Sequence, residues 1–274
     1  MWPQLIVVTL LAAIAQGVAG FGFTLLAVSF YLLILRSTDA VQLVILINLA
    51  ISVVLVARLW HAVPRRLWAL LAGGGLLGFP VGLWVFAHTD LEFIELAVAG
   101  VTIAFAVAVL LQETRRAGAR GASPPPAADD VGESIDASAA GLEVSAAGVE
   151  VAHRSVSALA VGMSAGALTS SLGMPGPPVA LYLTGLGLDK TTFRALALST
   201  FIVMQAGSLL GQSLFIGIDT RVWAYALVLV PVAALGATAG HRLCHHVTER
   251  VFRRLVLLLL LATGAYMLYQ ALTR

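Results

Sequence analysis

The stretch Ser170-Ser171-Leu172-Gly173-Met174-Pro175-Gly176-Pro177-Pro178 decides how this chain is read. It interrupts an apolar block running roughly from 156 to 188, well beyond the ~20 residues of one helical membrane crossing. Glycine weakens a helix interior by ~1 kcal/mol and proline by ~3 kcal/mol, so the stretch cannot be continuous helix. A second long block, roughly 5–35, is interrupted in the same way by Gly20-Phe21-Gly22-Phe23-Thr24. Each block reads as two short half-helices that meet within the membrane, forming a re-entrant hairpin or a pair of tilted crossings.

Working outward, composition fixes the class. Of 274 residues 59% are hydrophobic and 11% charged, with a mean hydropathy of +0.96. A soluble chain carries ~25% charged residues, so a soluble enzyme is excluded and a polytopic membrane protein is expected. The first half adds apolar blocks near 40–60, 67–87 and 91–111; the second adds 195–217, 222–241 and 251–272. Residues 112–154 differ: they hold Pro124-Pro125-Pro126, the acids Asp129, Asp130, Glu133 and Asp136, and many small residues, and read as a disordered aqueous linker. The chain thus divides into a first transmembrane repeat at 1–111, the linker, and a second repeat at 155–274. The N-terminal run has no positive leading region and continues too far for a signal peptide, so it is read as retained. A single cysteine, Cys244, leaves no internal disulfide. No basic block suits nucleic acid.

Landmarks recur between the halves. Leu77-Gly78, Gly82 and His88 have the spacing of Leu235-Gly236, Gly240 and His246; Arg66-Leu67-Trp68 matches Arg221-Val222-Trp223; Gly17, Gly20 and Gly22 are set against Gly166, Thr169 and Gly173. Internal repeats are a mark of transporter folds. If each broken block returns to its starting side, the halves are inverted. All Lys and Arg but Arg36, Arg221 and Arg274 then lie on the cytoplasmic side, 13 of 16. If each block crosses once, the halves are parallel and the division is 9 to 7. The positive-inside rule selects the inverted arrangement, with the linker cytoplasmic and both termini periplasmic. The fold class expected is an all-α polytopic membrane protein of two inverted repeats. Each has a Gly/Pro-broken hairpin followed by three transmembrane helices, 8–10 membrane segments in all.

Broken helices in inverted repeats place a solute site near the bilayer midplane, where half-helix N-termini direct unpaired N–H groups and a positive dipole end at a ligand. This favours anions. Ser170, Ser171, Gly173, Pro175 and Gly176 supply hydroxyls, glycines that allow close approach, and a proline-initiated helix. Gly20, Gly22, Phe23 and Thr24 are the first-half counterpart. Gln16 lies one turn before the first break. Asn48 and Ser52 share a face, as do Gln205, Ser208 and Gln212, with Ser199 and Thr200 a turn above; interhelical hydrogen bonds worth ~0.6 kcal/mol each are the plain alternative. Arg194 begins an apolar run and could snorkel to the interface or clamp an anion with paired N–H donors. No acid lies deep in an apolar block; Asp39 and Asp189 read as helix N-caps, and Asp90, Glu92 and Glu95 as an outer loop. A carboxylate relay for protons or cations is therefore not expected, and neither is a metal or cofactor. Trp2, Trp60, Trp68 and Trp223 read as interfacial anchors and Trp84 as packing.

Two motif look-alikes are weighed against this. Gly162-Met163-Ser164-Ala165-Gly166 matches G-x-S-x-G, which needs a strand–turn–helix and a His/acid pair that an apolar helix lacks. His241, Cys244, His245 and His246 have helical zinc-ligand spacing, but the surrounding arginines fit a basic loop near lipid headgroups better.

Gly166 to Leu183, followed by Phe193-Arg194-Ala195, resembles the second repeat of the TauE/SafE group of sulfite and organosulfonate exporters. Gln16-Gly17-Val18-Ala19-Gly20-Phe21-Gly22-Phe23 resembles the first repeat, with Phe21 and Phe23 interrupting the glycine run and no proline after it. The resemblance spans the chain apart from the linker. It implies passage of sulfite or a related small sulfur anion across a bacterial inner membrane. The expected partners are that anion and the lipid bilayer, with a homo-oligomer possible. The rival readings are an inverted-repeat drug/metabolite exporter, an anion channel and an intramembrane hydrolase using Ser164.

Overall fold

In a computed structural model the chain is described at residues 1–120, 137–243, 258 and 260–270, with side chains at 113–120 and 137–154 left aside. The helices bounded among the described residues are, in order, α1 Trp2–Ala19, α2 Phe23–Leu35, α3 Asp39–Val56, α4 Arg65–His88, α5 Leu91–Arg120, α6 Ala137–Leu172, α7 Gly176–Gly185, α8 Lys190–Phe215 and α9 Thr220–Leu243. A 3-10 turn at Trp60–Ala62 links α3 to α4, and residues 260–270 are helical again. Among the described residues there is no strand. Seven helical stretches among the described residues are long and apolar enough to cross a membrane, and Phe23–Leu35 is a shorter apolar helix, so this is a multi-pass all-α membrane protein. Helix α5 continues past residue 112 and α6 begins before 154. The centre of the expected linker, 121–136, lies outside the described residues, as does most of 251–259.

The hairpins differ from the expectation of paired half-helices. Helix α1 is 18 residues, ~27 Å at 1.5 Å per residue, close to the ~30 Å hydrocarbon thickness. Its partner α2 has 13 residues, and α7 has 10. Each hairpin is a full-length limb followed by a short one, because nothing in the first limb breaks it before Gly20 or Gly173.

Two helix pairs make the closest contacts. A Cβ on Gly78 would collide with the Met163 carbonyl, and one on Gly82 with that of Ala167, where α4 meets α6. On the α1–α9 pair, Gly236 sits on Leu10 and Gly240 on Ile14. The landmarks at 78, 82, 236 and 240 are therefore paired contacts in both halves, and only glycine lets the backbones approach this far. Within each pair the contacts advance together along both helices, so α1 runs parallel to α9 and α4 parallel to α6; Trp2 rests on Tyr225 at the start of the first pair. Helix α4 also runs parallel to α8, with Gly75 on Met204 and Phe79 on Gly211. Helices α3 and α8 pack against each other. Trp84 faces outward at 63% exposure and stacks on His88, so it is not a packing residue; an outward aromatic at that depth meets lipid.

Candidate functional site

Both breaks are built by one device. Gly20 takes φ +84° and donates its N–H to the Gln16 carbonyl at 2.7 Å; Gly173 takes φ +71° and donates to Thr169 at 2.9 Å. Each is the left-handed glycine that ends a helix by a bond back to its last turn, and at the second break the Met174 N–H adds a bond to the Leu168 carbonyl at 3.1 Å. The repeat register therefore pairs Gly20 with Gly173, not with Thr169 as the glycine spacing alone suggests. After three residues the second limb starts: α2 is capped by Gly22 at φ +113°, and α7 by Pro175 with a proline in its first turn.

The two starts meet through Thr24, whose hydroxyl is the nearest group to Gly176. Gly22 is buried, yet a Cβ built on it would meet nothing within 4 Å. Gly176 is also buried, and a Cβ there would meet only the Thr24 hydroxyl, at 4.0 Å. Two helix N-termini thus border a small interior space with a buried hydroxyl on its edge, and backbone amides and dipole ends favour a negative group there. Gln16 holds the first break in shape: its Oε1 accepts the Phe23 N–H at 3.0 Å and its Nε2 donates to Asn48 Oδ1 at 2.6 Å. That amide of Phe23 is consequently occupied, and the Phe23 ring is fully buried.

Arg194 points inward, 8% exposed, rather than snorkelling. Its stem packs on Gly20, Nη2 donates to the Gly17 carbonyl at 2.7 Å, and the same atom lies 3.0 Å from His241 Nδ1. A guanidinium on the last carbonyls of α1 also complements the negative end of that helix. Val41 occupies the corresponding place on α3, against Gly173. From these two anchors, α3 with the turn that follows it and α8 carry matching buried stripes. Val41, Ile45, Asn48, Ser52, Leu55 and Leu59 correspond to Arg194, Leu198, Phe201, Gln205, Ser208 and Gln212.

Polar atoms of these stripes are left without partners among the described residues: Asn48 Nδ2, Ser52 Oγ, both amide atoms of Gln205, Ser208 Oγ and Gln212 Oε1, with Thr200 Oγ1 beside them. Such atoms are uncommon in native interiors and mark places where a water or a ligand is bound. The second break uses its hydroxyls internally. Ser170 Oγ donates to the Phe79 carbonyl at 2.9 Å and lies 3.0 Å from that of Gly166; Ser171 Oγ donates to Ala167 at 2.7 Å. The Ser170 carbonyl accepts Gln212 Nε2 at 2.9 Å. Gln16, Gly20, Gly22, Phe23, Thr24, Asn48, Gly176 and Arg194 therefore gather at the first break and its facing helices. Gly173 and Pro175 shape the second turn, Ser170 and Ser171 brace α6, and Thr200 and Gln205 lie along α8.

Other sequence expectations meet corrections. Asp189 is an N-cap, its carboxylate accepting the amides of Thr191 and Thr192 at 3.1 Å each. These bonds, led by the Thr192 side chain, hold its pKa below the usual carboxylate value. Asp39 is instead the first residue of α3, preceded by Thr38 at the cap. Glu95 is not a loop acid: it lies in the second turn of α5 and is 4% exposed. Ser164 donates to the Val161 carbonyl on an exposed helix face, while Gly162 and Gly166 of its motif pack on Leu71 and Gly75 of α4. That motif is a helix-packing seam. Cys244, His245 and His246 lie outside the described residues, and among the described ones no group of three His, Cys, Asp or Glu could hold a metal. The contact of His241 with Arg194 was invisible in sequence, since it joins residues 47 apart. Likewise the Gln42 Nε2 bond to the Gly217 carbonyl at 3.0 Å joins α3 to the α8–α9 turn.

Residues 5–267 match the family model described as Sulfite exporter TauE/SafE. No curated protein and no solved structure matches the chain. The matched region takes in both breaks, Arg194 and the α3–α8 contact, and the chain belongs to the TauE/SafE sulfite exporter family, membrane transporters of sulfur anions rather than enzymes.

Proposed function

We propose that this protein is a secondary transporter that moves sulfite or a small organosulfonate across the bacterial inner membrane by alternating access. The observation that carries the reading is the pair of buried helix starts at Gly22 and Gly176. A Cβ on Gly22 would meet nothing within 4 Å, and one on Gly176 would meet only the Thr24 hydroxyl of the first start. Within the breaks at 20–24 and 170–176, the amides of Gly22, Thr24 and Gly176 at the two helix starts bind the oxygens of the anion, and Arg194 supplies fixed positive charge beside the first turn. Gln16 and Asn48 keep that turn in shape, and Gln205 and Thr200 offer neutral contacts to the rest of the solute. Discrimination against cations follows from two positive dipole ends and a guanidinium in one low-dielectric space.

The halves are inverted in this reading. Support comes from helix direction: α1 is parallel to α9, and α4 to α6 and α8. The four residues between α8 and α9 join two spanning helices, which must therefore reverse. That sets α1 against α6. The linker is then cytoplasmic and both termini periplasmic, as the basic residues favour. Alternating access is a rocking of the two hairpins about the α3–α8 contact.

Purified protein titrated with sulfite, sulfate, sulfoacetate, taurine and acetate tests the reading. Saturable binding of sulfite or a sulfonate is expected, with acetate much weaker, together with uptake of the bound anion into proteoliposomes. Binding confined to cations or neutral amphiphiles would overturn it in favour of a drug or metabolite exporter.

A further inference from the structure

The two matched stripes differ in chemistry beyond the centre, and that difference has a direction. On α8 the last three stripe positions are Gln205, Ser208 and Gln212, all with 0% exposure. The corresponding positions are Ser52 and Leu55 on α3 and Leu59 in the turn that follows it, also buried. Both amide atoms of Gln205, Ser208 Oγ and Gln212 Oε1 have no partner among the described residues. Gln212 Nε2, by contrast, is fixed on the Ser170 carbonyl, which orients that amide. An unpaired polar group is costly in a protein interior, and a bilayer offers it no solvent. Leucine stands at 55 and 59 where Ser208 and Gln212 stand in the second half, so packing alone does not require polar groups there.

We propose that Gln205, Ser208 and Gln212 form a hydrated half-path between the central site and the membrane face at residues 216–219, and that Leu55 and Leu59 close the opposite face. The inference rests on the transporter reading above. The rungs span seven residues of α8, ~10 Å at 1.5 Å per residue. They combine donors and acceptors and carry no charge. An oxyanion can exchange oxygens along them with water, whereas a second arginine would hold it, and conduction needs binding weak enough to release.

The test uses the full-length chain with Cys244, its single cysteine, replaced by serine. Ser208→Cys, Gln212→Cys, Leu55→Cys and Leu59→Cys are made separately, and Thr220→Cys marks the 216–219 face. Vesicles of both orientations are treated with a charged, membrane-impermeant methanethiosulfonate, which needs a water-exposed thiolate to react. From the face that labels Thr220→Cys, the positions at 208 and 212 are expected to react roughly tenfold faster than those at 55 and 59. Sulfoacetate, which does not consume the reagent as sulfite does, is expected to slow them. Because Gln212→Cys loses the bond to Ser170, the near-isosteric Ser208→Cys decides the result. Equal reactivity of 208, 55 and 59, or labelling of 208 from the other face, would overturn the half-path. If 208 reacts as expected while no sulfur oxyanion binds or moves, the half-path stands and the transport reading falls; transport with an unreactive 208 is the reverse.

Discussion

The two breaks share a backbone and differ in what surrounds it. Gly20 and Gly173 end their helices with the same bond and the same left-handed turn. The first break is held by a side-chain bracket, Gln16 to Phe23 and Asn48, and is faced by Arg194. The second is held by prolines at Pro175 and Pro177, and is faced by Val41 and Ile45. Prolines set a backbone without offering any group to a ligand. The comparison teaches that a duplicated scaffold can keep its geometry while one copy concentrates the charge and hydrogen-bond chemistry.

The largest effect should follow from erasing that difference. Arg194→Val gives α8 the residue that α3 carries at the same place. A charge-assisted hydrogen bond is worth about 1.5–3 kcal/mol, so sulfite or sulfonate uptake into proteoliposomes should fall at least roughly tenfold. Arg194→Lys keeps the charge but not the planar fork, and should retain part of the activity. Membrane insertion, followed by fractionation, should be unchanged in both. Uptake at the wild-type rate in Arg194→Val would break the assignment of charge to the first break.

The bracket gives the next contrast. Gln16→Leu leaves the Phe23 amide and Asn48 Oδ1 buried without partners, at ~1–3 kcal/mol each. Its second-half counterpart, Thr169, only returns a bond at 2.6 Å to the Ala165 carbonyl of its own helix. Thr169→Val should therefore cost less than ~1 kcal/mol. Thermal unfolding of the two variants in detergent measures the gap, and a Thr169→Val protein as unstable as Gln16→Leu would mean that the second break depends on side chains after all.

How much of this was legible in the sequence follows from the same residues. The breaks were legible because glycine and proline act locally: Gly173 and Pro175 end and start helices whatever surrounds them. The membrane class and the glycine landmarks at 78, 82, 236 and 240 were legible for similar reasons. The register of the repeat was not. Gly17 and Gly166 are packing glycines, and spacing alone cannot separate them from the left-handed Gly20 and Gly173. The inward aim of Arg194 was one of two readings, since its stem and its partners, Gly17 and His241, come from distant helices. Glu95 looked like a loop acid because one turn of α5 precedes it. The polar stripe of α8 was visible as a 3–4 spacing, but its alignment with α3 needed Arg194 and Val41 to be seen against the opposite breaks.

That alignment also sets the smallest effect. Alanine at φ near +70° to +85° costs ~1–2 kcal/mol wherever it stands. At Gly173 the new Cβ would meet Ile45 and Val41 side chains at 3.4 Å, an ordinary contact. At Gly20 it would meet Arg194 Cγ at 2.6 Å and Cβ at 3.2 Å, so the arginine stem must shift. Overpacking of this kind adds ~1 kcal/mol or more, and Gly20→Ala should melt below Gly173→Ala by a corresponding amount. Most of the extra cost should go when Arg194 is also truncated to alanine, because Cγ is then gone while the Cβ contact at 3.2 Å and the backbone strain remain. A double-mutant cycle should thus return a coupling of about 0.5–1 kcal/mol between Gly20→Ala and Arg194→Ala, and none between Gly173→Ala and Arg194→Ala. Equal couplings at the two glycines would show that the breaks are not distinguished by the arginine, and the difference between them would reduce to their prolines.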